Sequence, residues 1–224
     1  MGKLGMNLSD LKKKLDQEFS GFSFGRTNFP LLFQSGIDDS AIHSAGISYL
    51  LSLGIEFGLP AIAEYPVIVH ADNNWKKTPK VMPDSIWFHP QTHQPWIAFE
   101  FERFEKCDEV KILNKVKNLA LSFHQSNQSI ELCVLVFWLR SGIAPRSIDP
   151  LIRIFEQGFF LDNMHIPAPK CSFVLYKFIF CKSNIEGAES SLHVQLKDDQ
   201  GAYSINGASN TNTPLLLCSS VKMQ

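Results

Sequence analysis

Three acidic residues stand out by type and spacing. Asp84 follows Pro83, and Glu100 and Glu102 come after a gap of fifteen residues, inside the run WIAFEFER at 96–103. In an extended chain successive side chains point to opposite faces, so Ala98, Glu100 and Glu102 share one face and Ile97, Phe99 and Phe101 the other. Two like charges side by side on a strand repel, and the arrangement is unfavourable without a cation or a basic partner. Mg²⁺ or Mn²⁺ would relieve it, because hard cations prefer carboxylate oxygens. If residues 84–89 pair with this strand across the turn PQTHQP, Asp84 falls opposite a residue near 101, and the three acids converge. Such a set suits hydrolysis of a phosphodiester, with the ion polarising a phosphoryl oxygen and lowering the pKa of the attacking water. The competing reading of Glu100 and Glu102 is a solvated face bridged to Arg103, Lys106 or Lys111. For Asp84 it is an ordinary turn residue after proline.

The elements that must position these acids can be read around them. Leu11, Leu15 and Phe19 recur every four residues and predict a helix over 7–19, with Ser9 as its cap. A second helix is expected over 38–58, capped by Asp39 or Ser40 and ended by Gly58 and Pro60. Three strands follow at 63–70, 84–89 and 96–103, an antiparallel meander with a hairpin between the last two. A long helix over 105–126 presents Ile112, Val116, Leu119, Ala120 and Phe123 on one face. The segment 130–139 (IELCVLVFWL) is almost continuously apolar, as a strand buried on both faces would be. A short helix over 148–157 and a strand over 172–181 complete the pattern. The chain divides into an N-terminal helix and loop (1–37), an α/β core (38–182) and a polar extension (183–224) with a hairpin near 197–204 and a strand at 214–219.

Composition narrows the class. The chain has 224 residues, 45% of them apolar, a formal net charge of −1 and 18 phenylalanines, many of them in strand-like runs. No global basic excess marks it as a nucleic-acid binder, although a local basic groove needs none. Five cysteines, Cys107, Cys133, Cys171, Cys181 and Cys218, form no C-x-x-C pair, so neither a disulfide framework nor a zinc ribbon follows. The N-terminus lacks the apolar core of a signal peptide, and no apolar run approaches the ~20 residues of a membrane span. A soluble cytoplasmic protein is expected. His89 and His93 flank a turn and make no helical metal pair, and no phosphate-binding glycine loop or nucleophile elbow is present.

The order helix, three strands, helix, strand, with Pro83-Asp84 and Glu100-Phe101-Glu102 placed on it, resembles the PD-(D/E)xK nuclease superfamily over about residues 38–140. The resemblance implies an α/β restriction-endonuclease-like core, a mixed central β-sheet flanked by helices. It also implies a Mg²⁺- or Mn²⁺-dependent endonuclease acting on DNA, with Asp84 and Glu100 as metal ligands and Glu64 as a further carboxylate. Glu102 stands where the family most often has lysine. It then serves as a base or orients water, or a lysine from the next helix (Lys106, Lys111 or Lys115) replaces the missing one, with Lys111 taken as catalytic. Alternatively the chain is a catalytically inactive nuclease-fold protein that binds nucleic acid or a partner protein. Trp75, Lys76, Lys77 and Lys80 on one side, and Arg103, Lys106 and Lys115 on the other, are the expected nucleic-acid contacts. Many relatives are dimers, so a homodimer or a place in a larger complex is also expected.

Overall fold

The computed structural model describes residues 6–33, 37–67, 74–139, 145–180 and 192–194, with no side chains described at 74, 76, 179, 180 and 192–194. The expected hairpin near 197–204, the strand at 214–219, Cys181 and Cys218 lie outside these residues.

Five strands form a mixed central sheet, in the order β1 (Ala61–Ala63), β2 (Ser85–Phe88), β3 (Pro95–Arg103), β4 (Leu132–Leu139) and β7 (Ser172–Phe180). A three-residue strand, β8 (Leu192–Val194), lies antiparallel beyond β7. The first three strands are the expected antiparallel meander, and β3, β4 and β7 run parallel. Between β4 and β7 the chain forms a small hairpin, β5 (Phe159–Leu161) and β6 (Met164–Ile166), which the sequence pattern did not suggest.

Helices cover both faces. On one side lie α1 (Leu8–Gly21) and α3 (Asp39–Glu56), packed on Trp87, Ile97, Phe99, Phe101, Trp138 and Tyr176. The short α2 (Ser23–Asn28) lies in the expected loop region after α1. On the other side lie α4 (Glu109–Gln125) and α5 (Asp149–Gln157), packed on Ile86, Ala98, Cys133, Leu135, Phe137 and Leu175. Alternation in β3 is therefore as expected, with Ala98 toward α4 and Ile97, Phe99 and Phe101 toward α3. The approach of α3 to β3 is close. A Cβ at Gly46 would fall inside the edge of the Phe101 ring, so only glycine fits.

Helix ends differ from expectation for local reasons. Asn7, not Ser9, caps α1, its side chain accepting from the Asp10 N–H at 2.9 Å. Asp38 caps α3 through the Ser40 N–H at 2.8 Å. Helix α4 starts at Glu109 rather than 105, because Glu105–Asp108 close a turn with Cys107 at φ 73°. It ends at Gln125, ahead of two left-handed residues, Asn127 and Gln128. The first strand is Ala61–Ala63, ahead of the expected 63–70; residues 64–67 are not strand, and 68–70 lie outside the described residues. Glu64 leaves it in a left-handed conformation, φ 47°. Cys133 and Cys171 are free thiols with their Sγ atoms 3.7 Å apart, and burial pushes the Cys133 thiol well above its usual range.

Candidate active site

The three acids converge on the α4 face of the sheet. The β2–β3 ladder pairs Ser85 with Phe99, so Asp84 falls next in line, within a residue of the expected register. Its carboxylate continues the ladder in place of a backbone carbonyl: Asp84 Oδ2 accepts the Phe101 N–H at 2.7 Å. Its own carbonyl accepts the Glu64 N–H at 3.0 Å, which links β1 to the same point. Asp84, Glu100 and Glu102 are all buried, Glu100 completely.

A lysine from α4 closes the cluster. Lys115 Nζ lies 2.6 Å from Glu100 Oε2, 3.3 Å from Asp84 Oδ1 and 3.7 Å from Glu102 Oε2. Lys111, one turn earlier and half exposed, bridges to Glu102 Oε1 at 2.7 Å, and the same oxygen accepts the Arg103 N–H. Of the three helix lysines expected to reach inward, Lys115 lies nearest Asp84 and Glu100. Lys115, read as a nucleic-acid contact, occupies the centre, and Lys111, read as catalytic, sits on the rim. Helical geometry is the reason. Lys115 is three residues after Ile112 and four before Leu119, at the edge of the buried stripe, and its flexible stem carries the ammonium under the helix.

Burial and charge set the proton affinities. Glu100 is pushed well above the ordinary carboxylate value, first by burial and then by Asp84, with Lys115 opposing both. Burial alone would lower Lys115. The attraction of Glu100, Asp84 and Glu102 overrides it and raises Lys115 above the usual lysine range. With all three acids ionised, three carboxylates and two ammonium groups would leave the cluster one negative charge in excess.

The donor set can be tested against a divalent ion. Among the described residues no three His, Cys, Asp or Glu side chains are arranged to chelate an ion. An ammonium stands between the acids, and Glu102 is held by Lys111. One observation nevertheless fits a hard cation on Asp84 and Glu100. Glu100 Oε1 is buried and has no hydrogen-bond partner, and a buried carboxylate oxygen is costly to leave unmatched. Mg²⁺ is commonly held by one or two carboxylates plus water, so a third acidic ligand is not required.

The remaining expected residues lie further out. Glu64 is exposed at the exit of β1 and reaches Asp84 only through its backbone. Arg103 alternates to the opposite face, ion-paired with Asp39 and Glu105, its guanidinium 5.7 Å from the Trp138 ring centre. It ties β3 to the start of α3. Trp75, in a 3-10 turn over Asn74–Lys77, packs its ring 4.7 Å from that of His124 instead of standing free as a stacking platform. Lys77, Lys80 and Lys106 are exposed, and of Lys76 only the backbone is described.

Two residues of this neighbourhood were missed. Gln125 is fully buried at the end of α4 and binds the segment leading to Asp84. Its amide donates to Thr78 Oγ1 (2.8 Å) and the Pro79 carbonyl (2.7 Å), and its oxygen accepts the Val81 N–H (3.3 Å). Nothing in its spacing marks it. Lys177 lies in one register row with Phe137 and Glu102, on the cluster's face, and burial holds it below the usual lysine value. Its signal was available, as the single charge in the apolar strand SFVLYKFIF.

No protein-family model, no curated protein and no solved structure matches this chain. Among the described residues no helix is long and apolar enough to cross a membrane.

Proposed function

We propose that this chain is a metal-dependent endonuclease that hydrolyses phosphodiester bonds of DNA on a restriction-endonuclease-like core. The observation that carries the reading is the convergence of Asp84, Glu100 and Lys115, with one buried oxygen of Glu100 unpaired. An acid at the end of one strand, a second on its hairpin partner and a lysine from the following helix are a set suited to phosphodiester hydrolysis. Lys115 supplies the positive group that the motif lacks at Glu102.

Asp84 and Glu100 would hold the ion. When bound, it supplies a Lewis acid for the phosphoryl oxygen and a water of lowered pKa. The chain's own residues do the rest. Lys115 keeps its proton and offers a positive charge to the phosphate oxygens as negative charge develops on them. Glu102, steadied by Lys111, is positioned to orient water or accept its proton. Exposed Lys77, Lys80 and Lys106 supply non-specific attraction to the phosphate backbone.

The test is cleavage of plasmid and linear DNA in Mg²⁺ or Mn²⁺. Asp84→Asn keeps an oxygen for the Phe101 N–H, and Glu100→Gln keeps the shape of its side chain. Each should lower the cleavage rate on the order of 10³-fold, the scale of removing one preorganised electrostatic stabiliser, with unchanged circular dichroism. Variants that cut like the parent would refute the mechanism.

A second reading has its own support. Lys115 satisfies much of the acidic cluster without an ion, as in a nuclease-fold protein that only binds nucleic acid or a partner protein. It predicts DNA binding with no metal-dependent cutting by the parent.

A further inference from the structure

Lys115 stands where a cation belongs. Its Nζ contacts Asp84 and Glu100, the two acids to which the preceding reading assigns the ion, while Glu100 Oε1 remains buried and unpartnered beside it. An ammonium and a divalent ion cannot share that space, since like charges a few ångströms apart in a buried site repel strongly. The lysine has an alternative position. Glu102 Oε2 is already 3.7 Å from Nζ, and Lys111 and the Arg103 N–H bind the other oxygen of that carboxylate and fix its place. The Lys115 side chain is 21% exposed, so its stem is not sealed in. A short swing about its terminal torsions carries the charge from one acid to the other.

We infer that Lys115 is the built-in counter-cation of this site, which must leave Asp84 and Glu100 for a divalent ion to enter, and that Glu102 receives it. The inference rests on the metal-site reading above and deepens it, giving glutamate at position 102 a further role as acceptor of the displaced lysine. The lysine neutralises the acids while the protein folds and waits. Metal and lysine then compete, and each weakens the hold of the other on the same two carboxylates. Glutamate at 102 keeps the displaced ammonium within the site, next to the position of the scissile phosphate.

Direct Mn²⁺ binding to the full chain, by calorimetry and by electron paramagnetic resonance of the free ion, tests this. Lys115→Met should bind Mn²⁺ about tenfold tighter or more, within the usual range of coupling between two sites. Its melting temperature should also rise more on Mn²⁺ addition than the parent's. Glu102→Gln should bind more weakly than the parent, because the displaced lysine loses its acceptor. Lys115→Met leaves buried acids unpaired and can fail to fold. The double variant Lys115→Met/Glu102→Gln removes one acid with the lysine, and it must then bind tighter than Glu102→Gln alone. If the parent binds Mn²⁺ and removal of Lys115 leaves affinity unchanged or weaker, the competition is wrong while the metal site stands. If Glu102→Gln binds like the parent, Glu102 is not the acceptor. If the folded parent and variants all ignore millimolar Mn²⁺, the metal site itself falls, and this inference with it.

Discussion

Glu100 concentrates the conflict between stability and chemistry at this site. Its side chain is fully buried, pairs with Lys115 through one oxygen and leaves the other unmatched. The fold raises its proton affinity, so the protonated form is the one that folding favours. Stability from this group is complete below the ordinary value of 4.5 and is lost as pH rises through the elevated folded value. Above that folded value the parent carries a buried carboxylate at net expense of stability. Above that value Glu100→Gln should match or exceed the parent by about 1 kcal/mol, because it keeps the neutral form that folding favours while Asp84 and Glu102 still partner Lys115. The gap should close on acidification, as the parent takes up its own proton. Urea melts at several pH values measure this. A large loss at the high-pH end of the series would mean that the Lys115 bridge outweighs the burial. The acids were legible in the sequence, because alternation in WIAFEFER puts two charges on one face of an apolar strand. The lysine was legible only as one of three on the next helix, because Lys111 and Lys115 share a helix face one turn apart and only the packing angle of α4 decides which reaches Asp84 and Glu100.

At the scale of elements, α4 does two jobs. Its middle delivers Lys115, and its end holds the segment that carries Asp84 through Gln125. Gln125→Ala leaves the Val81 N–H and the Pro79 carbonyl without their partner. Leaving such buried groups unsatisfied costs about 1–3 kcal/mol. The expected result is a lower urea midpoint and faster hydrogen exchange at Val81. An unchanged Val81 exchange rate would show that the segment holds itself. The strands and long helices were readable from period and length, since β4 is apolar throughout and α4 repeats on one face. Helix α2 and the β5–β6 hairpin were not. Helix α2 is six residues long, and its first turn is satisfied by a distant acid, Glu18 of α1, which accepts the Phe24 and Gly25 N–H groups. No local pattern encodes a partner on another helix.

For the whole molecule, the N-terminal helix belongs to the core. Leu11, Leu15 and Phe19 are fully buried, Tyr176 of β7 donates to Asp16 at 2.7 Å, and Tyr49 of α3 donates to Glu18 at 2.9 Å. Burial of each apolar side chain is worth about 2 kcal/mol, against a total stability of about 5–15 kcal/mol for a domain. Deletion of residues 1–21 should abolish the cooperative melting transition and the near-ultraviolet circular dichroism, although every site residue remains. A truncated chain that melts cooperatively would show that the sheet and the other helices suffice. The mixed sheet flanked by helices followed from the order of elements, because a helix between two apolar strands implies a parallel crossover.

The β1 edge of the sheet has a consequence for the behaviour of the protein in concentrated solution. An open strand edge is a template on which a second chain can add. Here the outermost strand is three residues long, with Pro60 before it, and Glu64 in a left-handed turn and Pro66 after it. Among the described residues, too few unpaired amide and carbonyl groups remain in line at this edge to seat an incoming strand, which disfavours growth of aggregates by sheet extension at the strand that also helps to hold Asp84.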